Sequence, residues 1–464
     1  MDRLQDVLSQ AIKLVEPSRE EEEVVHKAAE KTLKLIKDEV DRCKVQPQVV
    51  LGGSYAKGTW LKGEADVDIF MKFPPDMDKE SLEKWAVHIG KNALKGFNPT
   101  LRYSEHPYVE AYVDGVRVNV VGCYDVRKGE WKSAADRSPY HTILIVEKFD
   151  ENLRREARLL KKFMKGIGIY GAELAIQGFS GYVCEVLILK YGSFLSTIKE
   201  ASVFKERQII SLESVDEELT RLHKSPLVIL DPVDYRRNLG AAISPENVGK
   251  FIMASRSFLA HPDIQYFIGI KSVKPLDELK ASPLIENLVA VTFKHRARSV
   301  DILWGQLRRS MVHVKRQIEV SGFKVYRMAC CSDDKRMSAF LYLLENTTLP
   351  SEMVKVGPKV FMNRDVERFL TMNRDAKLLW IESDLRVYGL VKRKYPSIRD
   401  FLNDLLSKNI SRSGVAPGLA SDIERSFKIY IGKEILKVAR EKSWLVEGVH
   451  DIICEDGFGL RIGR

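Results

Sequence analysis

Apolar residues recur at three- and four-residue spacing from Leu4 to Val15, and Pro17 ends the helix they predict. Ser18 and Glu21 then form an S-x-x-E capping box ahead of EEEVVHKAAEKTLKLIKDEVDRC, a helix with Val24, Ala28, Leu33 and Ile36 roughly along one side. The period then changes. VQPQVVL, DVDIFMKF and VRVNVVGCY are rich in β-branched residues, end at Gly, Pro or Asp, and read as strands; LRYSEHPYVEAYV is strand-like around a turn. From Asn152 to about Ser257 helical spacing dominates, in LRREARLLKKFMKGIG and GFSGYVCEVLILKYGSFLSTIKEA. After Asp263 the strands LVAVTFKH, FKVYRMACC, SAFLYLLEN and LLWIESDLRVYGLVK alternate with the helices ILWGQLRRSMVHVKRQIEV and DIERSFKIYIGKEILKVAREK. The pattern predicts an α+β protein in three tightly joined regions: residues 1–150 mixed, 151–262 helical, and 263–464 again α/β.

Composition narrows the class. With 464 residues the chain exceeds what one core serves. No apolar run approaches the ~18 residues of a membrane span, and MDRLQDVLSQ, charged from its second residue, is not a secretory signal. A soluble cytoplasmic protein with no membrane partner is expected. The six cysteines show neither a CxxC pair nor zinc spacing with histidine, so reduced thiols are expected. Lys plus Arg outnumber Asp plus Glu by 74 to 64, an excess that suits a polyanionic partner because each phosphate neutralised releases counterions.

The chemistry lies in GGSYAKGTWLKGEADVDIF. Gly53-Ser54 follows the apolar strand VVL and precedes a short predicted helix, Tyr55 to Leu61. Unpaired N–H groups at a helix start and the absence of a side chain at Gly53 suit a phosphate, and Ser54 can add a hydroxyl donor. Asp66 and Asp68 then open the next strand. Since side chains alternate along a strand, both point to one face while Val67, Ile69 and Met71 are buried on the other. Two adjacent carboxylates stay ionised only beside a cation, and hard oxygen ligands suit Mg²⁺ bridging to nucleotide phosphates.

This pattern resembles the polymerase-β-like nucleotidyltransferases, and in detail the archaeal-type (class I) CCA-adding enzymes, tRNA nucleotidyltransferases that build the 3′ CCA end from CTP and ATP without a template. GSYAKGTWLKG, EHPYV, SAADRSPYH, LLKKFMKGIGIYGAE, GFSGYVCEVLILKYGSF and DPVDYRRNLGAAIS resemble that family's segments in order, over roughly residues 1–260; VGPKVF and VERFLTMNRD extend the similarity. The resemblance implies a nucleotidyltransferase head over 1–150, a helical nucleotide-binding domain over 151–262, and an α/β tRNA-binding body and tail over 263–464. It implies that Asp66, Asp68 and residue 119 hold the metals and that Gly53, Ser54, Lys57, His141, Lys161 and Tyr170 hold the triphosphate. Arg237 would help read CTP and ATP, and His106 would lie near the primer end. It further implies Mg²⁺, the tRNA acceptor arm as partner, and often a homodimer. Taken singly, His141 and His106 read as polar or capping residues, Lys161 as a solvated helix position and Tyr170 as core rim. HKSP, KHRARS, LRRSMVHVKRQ and VKRKYPS could meet RNA phosphates or be solvated faces and turns.

The pattern breaks at one position. The family's third carboxylate falls at Asn119, which shares a strand face with Arg117 and Val121. An amide oxygen can ligate a metal but brings no charge and accepts no proton. Three explanations stand: an impaired chain, a homologue working weakly with two carboxylates, or substitution by Asp114 or Asp125 in the flanking turns. Two other functions stand beside CCA addition: a poly(A)-polymerase-like or oligoadenylate-synthetase-like enzyme, and a non-catalytic tRNA- and nucleotide-binding homologue.

Overall fold

The computed structural model describes residues 2–103, 106–214, 224–269 and 276–454. Glu105 of EHPYV and His223 of HKSP lie outside these residues. Backbone contacts group residues 1–271 in one compact unit and 272–455 in another, so the mixed and helical regions fall together.

The first unit opens with α1 (Asp2–Val15) and α2 (Arg19–Val40). A five-stranded sheet follows in the order β1-β2-β5-β4-β3. Its strands are β1 (Gln48–Gly52), β2 (Asp66–Phe73), β3 (Thr100–Tyr103), β4 (Pro107–Val113) and β5 (Val116–Tyr124). β2 runs parallel to β5 and the other neighbours are antiparallel. Helices α2 and α4 (Lys79–Ala93) cover one face, burying Val67, Ile69, Met71, Val109, Ala111, Val118 and Val120. The alternate side chains of the same strands are left on the opposite, open face.

The phase of α2 differs by one residue from the expected face. Val25, Ala28, Ala29, Thr32, Ile36 and Val40 are buried, Leu33 is half-buried, and Val24 is exposed. Ser18 Oγ accepts from the Glu21 amide, but the Glu21 carboxylate accepts from the Gly63 amide, so only half of the capping box forms.

A second core in this unit gathers α1, α5 (Arg137–Lys148), α6 (Glu151–Gly166), α7 (Gly181–Tyr191), α8 (Phe194–Ser202) and the helix Pro245–Ala260. Val7, Ala11 and Val15 of α1 belong to it, as do Ile145 and Phe149 of α5. The opening helix therefore packs with the helical region, far along the chain. Phe163 anchors the core, with ring centroids 5.5–5.8 Å from Phe194, Phe258, Tyr266 and Phe267. A parallel pair, β6 (Gln208–Ile210) and β7 (Leu227–Ile229), flanks it.

In the second unit β8 (Leu288–Lys294), β9 (Val325–Ser332), β10 (Met337–Leu344) and a further strand at Lys428–Ile431 form an antiparallel sheet. One core lies on each of its faces, which is why LVAVTF and SAFLYLL read as unbroken apolar runs. The segment DIERSFKIYIGKEILKVAREK is not one helix. A helix ends at Ser426, Lys428–Ile431 pairs with β8, and a new helix begins at Lys433 after Gly432, whose φ is +60°. The aromatic and β-branched run FKIYI fits a pleated neighbour better than a helix. β11 (Glu352–Lys359), β12 (Leu378–Ile381) and β13 (Arg386–Lys392) make a smaller sheet. All six cysteines are free thiols, and among the described residues no helix is long and apolar enough to cross a membrane.

Candidate active site

The site grows from the turn between β1 and α3 (Gly53–Lys57), above the edge of β2. Gly53 has φ +66°, and a Cβ there would sit 1.8 Å from Asp68 Oδ2. Only glycine lets the Gly-Ser turn lie this close to the carboxylate. At Gly52 a Cβ would strike the Phe70 ring at 2.5 Å. The Gly-Ser turn and the DxD strand are thus fitted to each other.

On the open face of the sheet Asp68 is in register with Asn119, and Asp66 with Arg117. Asn119 Nδ2 donates to Asp68 Oδ1 at 2.9 Å. Arg117 donates to both oxygens of Asp66, through Nε at 2.7 Å and through its terminal nitrogen. Burial pushes the Asp68 carboxyl above its ordinary range, and the neighbouring Asp66 adds to the rise despite the Asn119 bond. A cation at this point would relieve both costs, so the donor set, two carboxylates and an amide on one face, fits Mg²⁺. Asp114 and Asp125 do not serve here. Asp114 lies in the β4–β5 turn with φ +51° and accepts from Lys31 at 2.8 and 2.9 Å, and Asp125 is paired with Lys72 at 2.6 Å.

A second cluster lies where α3 meets the helical core. Lys57 Nζ donates to Glu185 Oε2 at 2.9 Å, and Lys161 Nζ to Glu185 Oε1 at 2.7 Å. Lys161 also donates to the Thr59 carbonyl at 3.0 Å and the Thr59 hydroxyl at 2.9 Å. Lys161 and Glu185 are each 1% exposed, so Lys161 is no solvated helix position. Burial alone would raise the Glu185 carboxyl, but Lys161 and Lys57 outweigh it and hold it at about 2. Two amines against one carboxylate make this interior basic, although burial lowers the Lys161 ammonium from its ordinary value against the pull of Glu185. Tyr170 adjoins it: a methyl on Gly181 would lie 3.0 Å from the Tyr170 hydroxyl and 3.5 Å from Lys161 Nζ. Burial pushes the Tyr170 phenol up, so it remains a donor.

Next along, the His141 ring stacks on Tyr182 at 3.8 Å between centroids, and Lys57 Nζ lies 4.9 Å from the Tyr182 ring centre. His141 Nε2 and Asp231 Oδ2 are 2.9 Å apart, the Tyr182 hydroxyl donates to Oδ1 at 3.2 Å, and Arg237 donates to Oδ2 at 3.2 Å. Burial pushes His141 below its ordinary value, so it is neutral. Burial would raise Asp231, but the hydrogen bonds from His141 and the Val233 amide bring it below the usual range, which makes it an acceptor and places the histidine proton on Nε2. The structure thus gathers the expected residues in two groups, Asp68 and Asn119 with Gly53 and the neighbouring Asp66 on the sheet face, and Lys57, Lys161, Tyr170, His141 and Arg237 around Glu185, Tyr182 and Asp231, with α3 (Gly53–Lys57) running from one to the other. His106 stands apart, buried with Nδ1 2.8 Å from Glu83 Oε1 on α4. Ser54 is half-buried on α3. Sequence reasoning passes over Thr59, Tyr182, Glu185 and Asp231. Glu185 carried the clearest signal, a lone charge in the apolar run VCEVLIL.

A strand-turn-helix with glycine pressed on a DxD strand, set in a mixed sheet and backed by a helical core, defines a nucleotidyltransferase of the polymerase-β-like class. Family models agree: "Nucleotidyltransferase domain" matches residues 30–148, "tRNA nucleotidyltransferase, second domain" 155–268, and "CCA-adding enzyme, C-terminal domain" 286–432. The CCA-adding enzyme of Pyrobaculum islandicum is 37% identical over 414 residues, spanning 88% of this chain and 95% of that one. The CCA-adding enzyme of Pyrobaculum neutrophilum is 35% identical over 409 residues, 86% and 93% of the two chains. That of Saccharolobus solfataricus is 34% identical over 386 residues, 83% and 88%. The chain belongs to the CCA-adding enzyme family.

Proposed function

We propose that this chain adds C, C and A to the 3′ end of tRNA, from CTP and ATP, with Mg²⁺ and without a nucleic-acid template. The observation that carries the reading is the pairing of an anionic strand face with a buried cationic cluster on either side of the Gly53 turn. Asp66 and Asp68, with the Asn119 amide, would hold magnesium, which when bound polarises the α-phosphate and lowers the pKa of the attacking hydroxyl. Gly53 and Ser54 offer backbone and hydroxyl donors to the triphosphate. Lys57 and Lys161 act mainly through their field and by fixing Thr59, since the donors of Lys161 are engaged within the chain. Tyr170 adds a hydroxyl donor without adding charge, while His141, its one proton given to Asp231, is assigned to the triphosphate by resemblance. Arg237, 40% exposed beyond its bond to Asp231, would help read the base. His106 is assigned to the primer end by resemblance.

In the second unit Lys294, Arg296, Lys335, Arg336 and Arg425 line a concavity with Asp422, a surface suited to RNA phosphates. The test is incubation with tRNA lacking CCA, labelled CTP and ATP, and Mg²⁺. Ordered gain of C, C and A, abolished by EDTA, is expected. Use of ATP alone on any RNA would move the chain to the poly(A)-polymerase type. Tight tRNA binding without incorporation at any enzyme level would make it a binding homologue.

A further inference from the structure

The open face of the sheet carries an acid that neither its motif nor its family segment marks. Glu110 of β4 is in register with Asn119 of β5, which is in register with Asp68 of β2. Its flanking residues Val109 and Ala111 are buried in the core beneath, so strand alternation puts Glu110 on the face of Asp66 and Asp68. Glu110 is itself buried, at 8% exposure. Arg102 of β3 donates to it twice, from Nε at 3.0 Å and from its terminal nitrogen at 2.8 Å, and both bonds fall on Oε1. Among the described residues no hydrogen bond to Oε2 is formed.

We propose that Glu110 supplies the third carboxylate of the site, in the place left by Asn119. The inference rests on the nucleotidyltransferase reading above. Three points carry it. First, register: Glu110 lies directly across from Asn119, at the separation of one strand, about 4.8 Å. In the structure its carboxylate is turned toward Arg102 on β3, and a change of rotamer, which the extra methylene of glutamate allows, would bring it to the ground a carboxylate at 119 would serve. Second, charge: with Glu110 the face holds three carboxylates, Asp66, Asp68 and Glu110, against Arg117 and Arg102. Asp66 and Asp68 alone leave one net negative charge beside Arg117, and Glu110 adds a third acid whose counterion, Arg102, lies on the far strand β3. Third, availability: Arg102 is more than half exposed, so its pairing with Glu110 is weakly held, and one carboxylate oxygen is already unengaged. Asp114 and Asp125, fixed by lysines elsewhere, meet none of these conditions.

The experiment compares the native chain with Glu110→Gln, Arg102→Met, Asn119→Asp and the Glu110→Gln/Asn119→Asp double variant. Two quantities are read: single-nucleotide CTP incorporation on tRNA lacking CCA, and Mn²⁺ binding in the absence of tRNA and nucleotide, followed by the EPR signal of the free ion. Glu110→Gln is expected to slow incorporation about 100-fold or more and to weaken Mn²⁺ binding about 10-fold. The double variant should recover most of both losses, because it returns a carboxylate at 119. Arg102→Met should leave both within about 3-fold, since the arginine is only a counterion. The proposal is overturned if Glu110→Gln stays within about 3-fold of the native chain in both readouts. It is equally overturned if Arg102→Met reproduces the Glu110→Gln loss, the mark of a structural ion pair. A gain of about 100-fold from Asn119→Asp alone would also overturn it, because the native site would then lack a third carboxylate. If the native chain incorporates nothing, the CCA reading fails, and Mn²⁺ binding by itself still decides the role of Glu110.

Discussion

Two ionic clusters meet at the Gly53 turn, and they solve opposite problems. Lys57, Lys161 and Glu185 are buried, and their bonds close within the chain. The cluster on the open face, Asp66, Asp68 and Glu110 with Arg117 and Arg102, reaches solvent through Asp66 and the two arginines, and its acids outnumber its bases. One interior is basic and one face carries spare negative charge, a few residues apart along α3. A triphosphate carrying a divalent ion satisfies both, and neither cluster alone would select it. The first cluster is therefore chiefly architecture with a field, and the second is chiefly chemistry. Variants that separate stability from turnover test that division.

The largest effect is expected at Asp68. Asp68→Asn should cut nucleotide incorporation about 10³-fold or more, by removing a fixed charge aimed at the reacting centre. It should not cost stability. Burial raises the folded-state pKa of Asp68, so its ionised form at neutral pH works against folding, and a neutral amide removes that cost. Single-turnover incorporation and thermal unfolding on the same preparation check both halves. An unfolding midpoint lowered by several degrees would show that the face is structural after all.

Glu185→Gln should show the reverse, a loss of stability first. It leaves two buried ammonium groups without their carboxylate, a change that typically costs about 3–5 kcal/mol. The pH dependence follows from the same pairing. In the unfolded chain the carboxyl takes its proton near 4.5, whereas the folded chain holds it ionised to about 2. The stabilisation is complete above 4.5 and is lost as pH falls toward 2. Denaturant unfolding of both chains from pH 7 to pH 3 should therefore show the gap narrowing with acid; a constant gap would assign the loss to packing rather than to charge.

This contrast also explains what was legible in the sequence. The face could be read because strand alternation is local: DVD announces two carboxylates on one side, and Val67, Ile69 and Met71 on the other are fully buried. The buried cluster could not, because it joins Lys57 to Glu185 and Lys161 to Thr59 across more than a hundred residues. Spacing marks Lys161 as polar on a helix, but only the partner decides whether it faces water. The same holds for α1, which pattern alone assigns to the head and packing assigns to the helical core. Glu110 needs the pairing register of three strands, which no single segment carries.

The smallest effects are expected at the two acids that sequence alone offered in place of Asn119. Asp114→Asn and Asp125→Asn should each leave incorporation within about 2-fold and stability within about 1 kcal/mol, as for other exposed ion pairs. Asp114 sits in a left-handed turn conformation that asparagine adopts as readily as aspartate, and its partner Lys31 is half exposed. Asp125 follows the last residue of β5, and Lys72 takes up its charge. If either change slowed incorporation as much as Glu110→Gln, the site would extend past the end of the strand, and the row Asp68, Asn119, Glu110 would no longer define it. Two near-silent variants, beside a strong effect at Glu110, would confine the catalytic charge to that row.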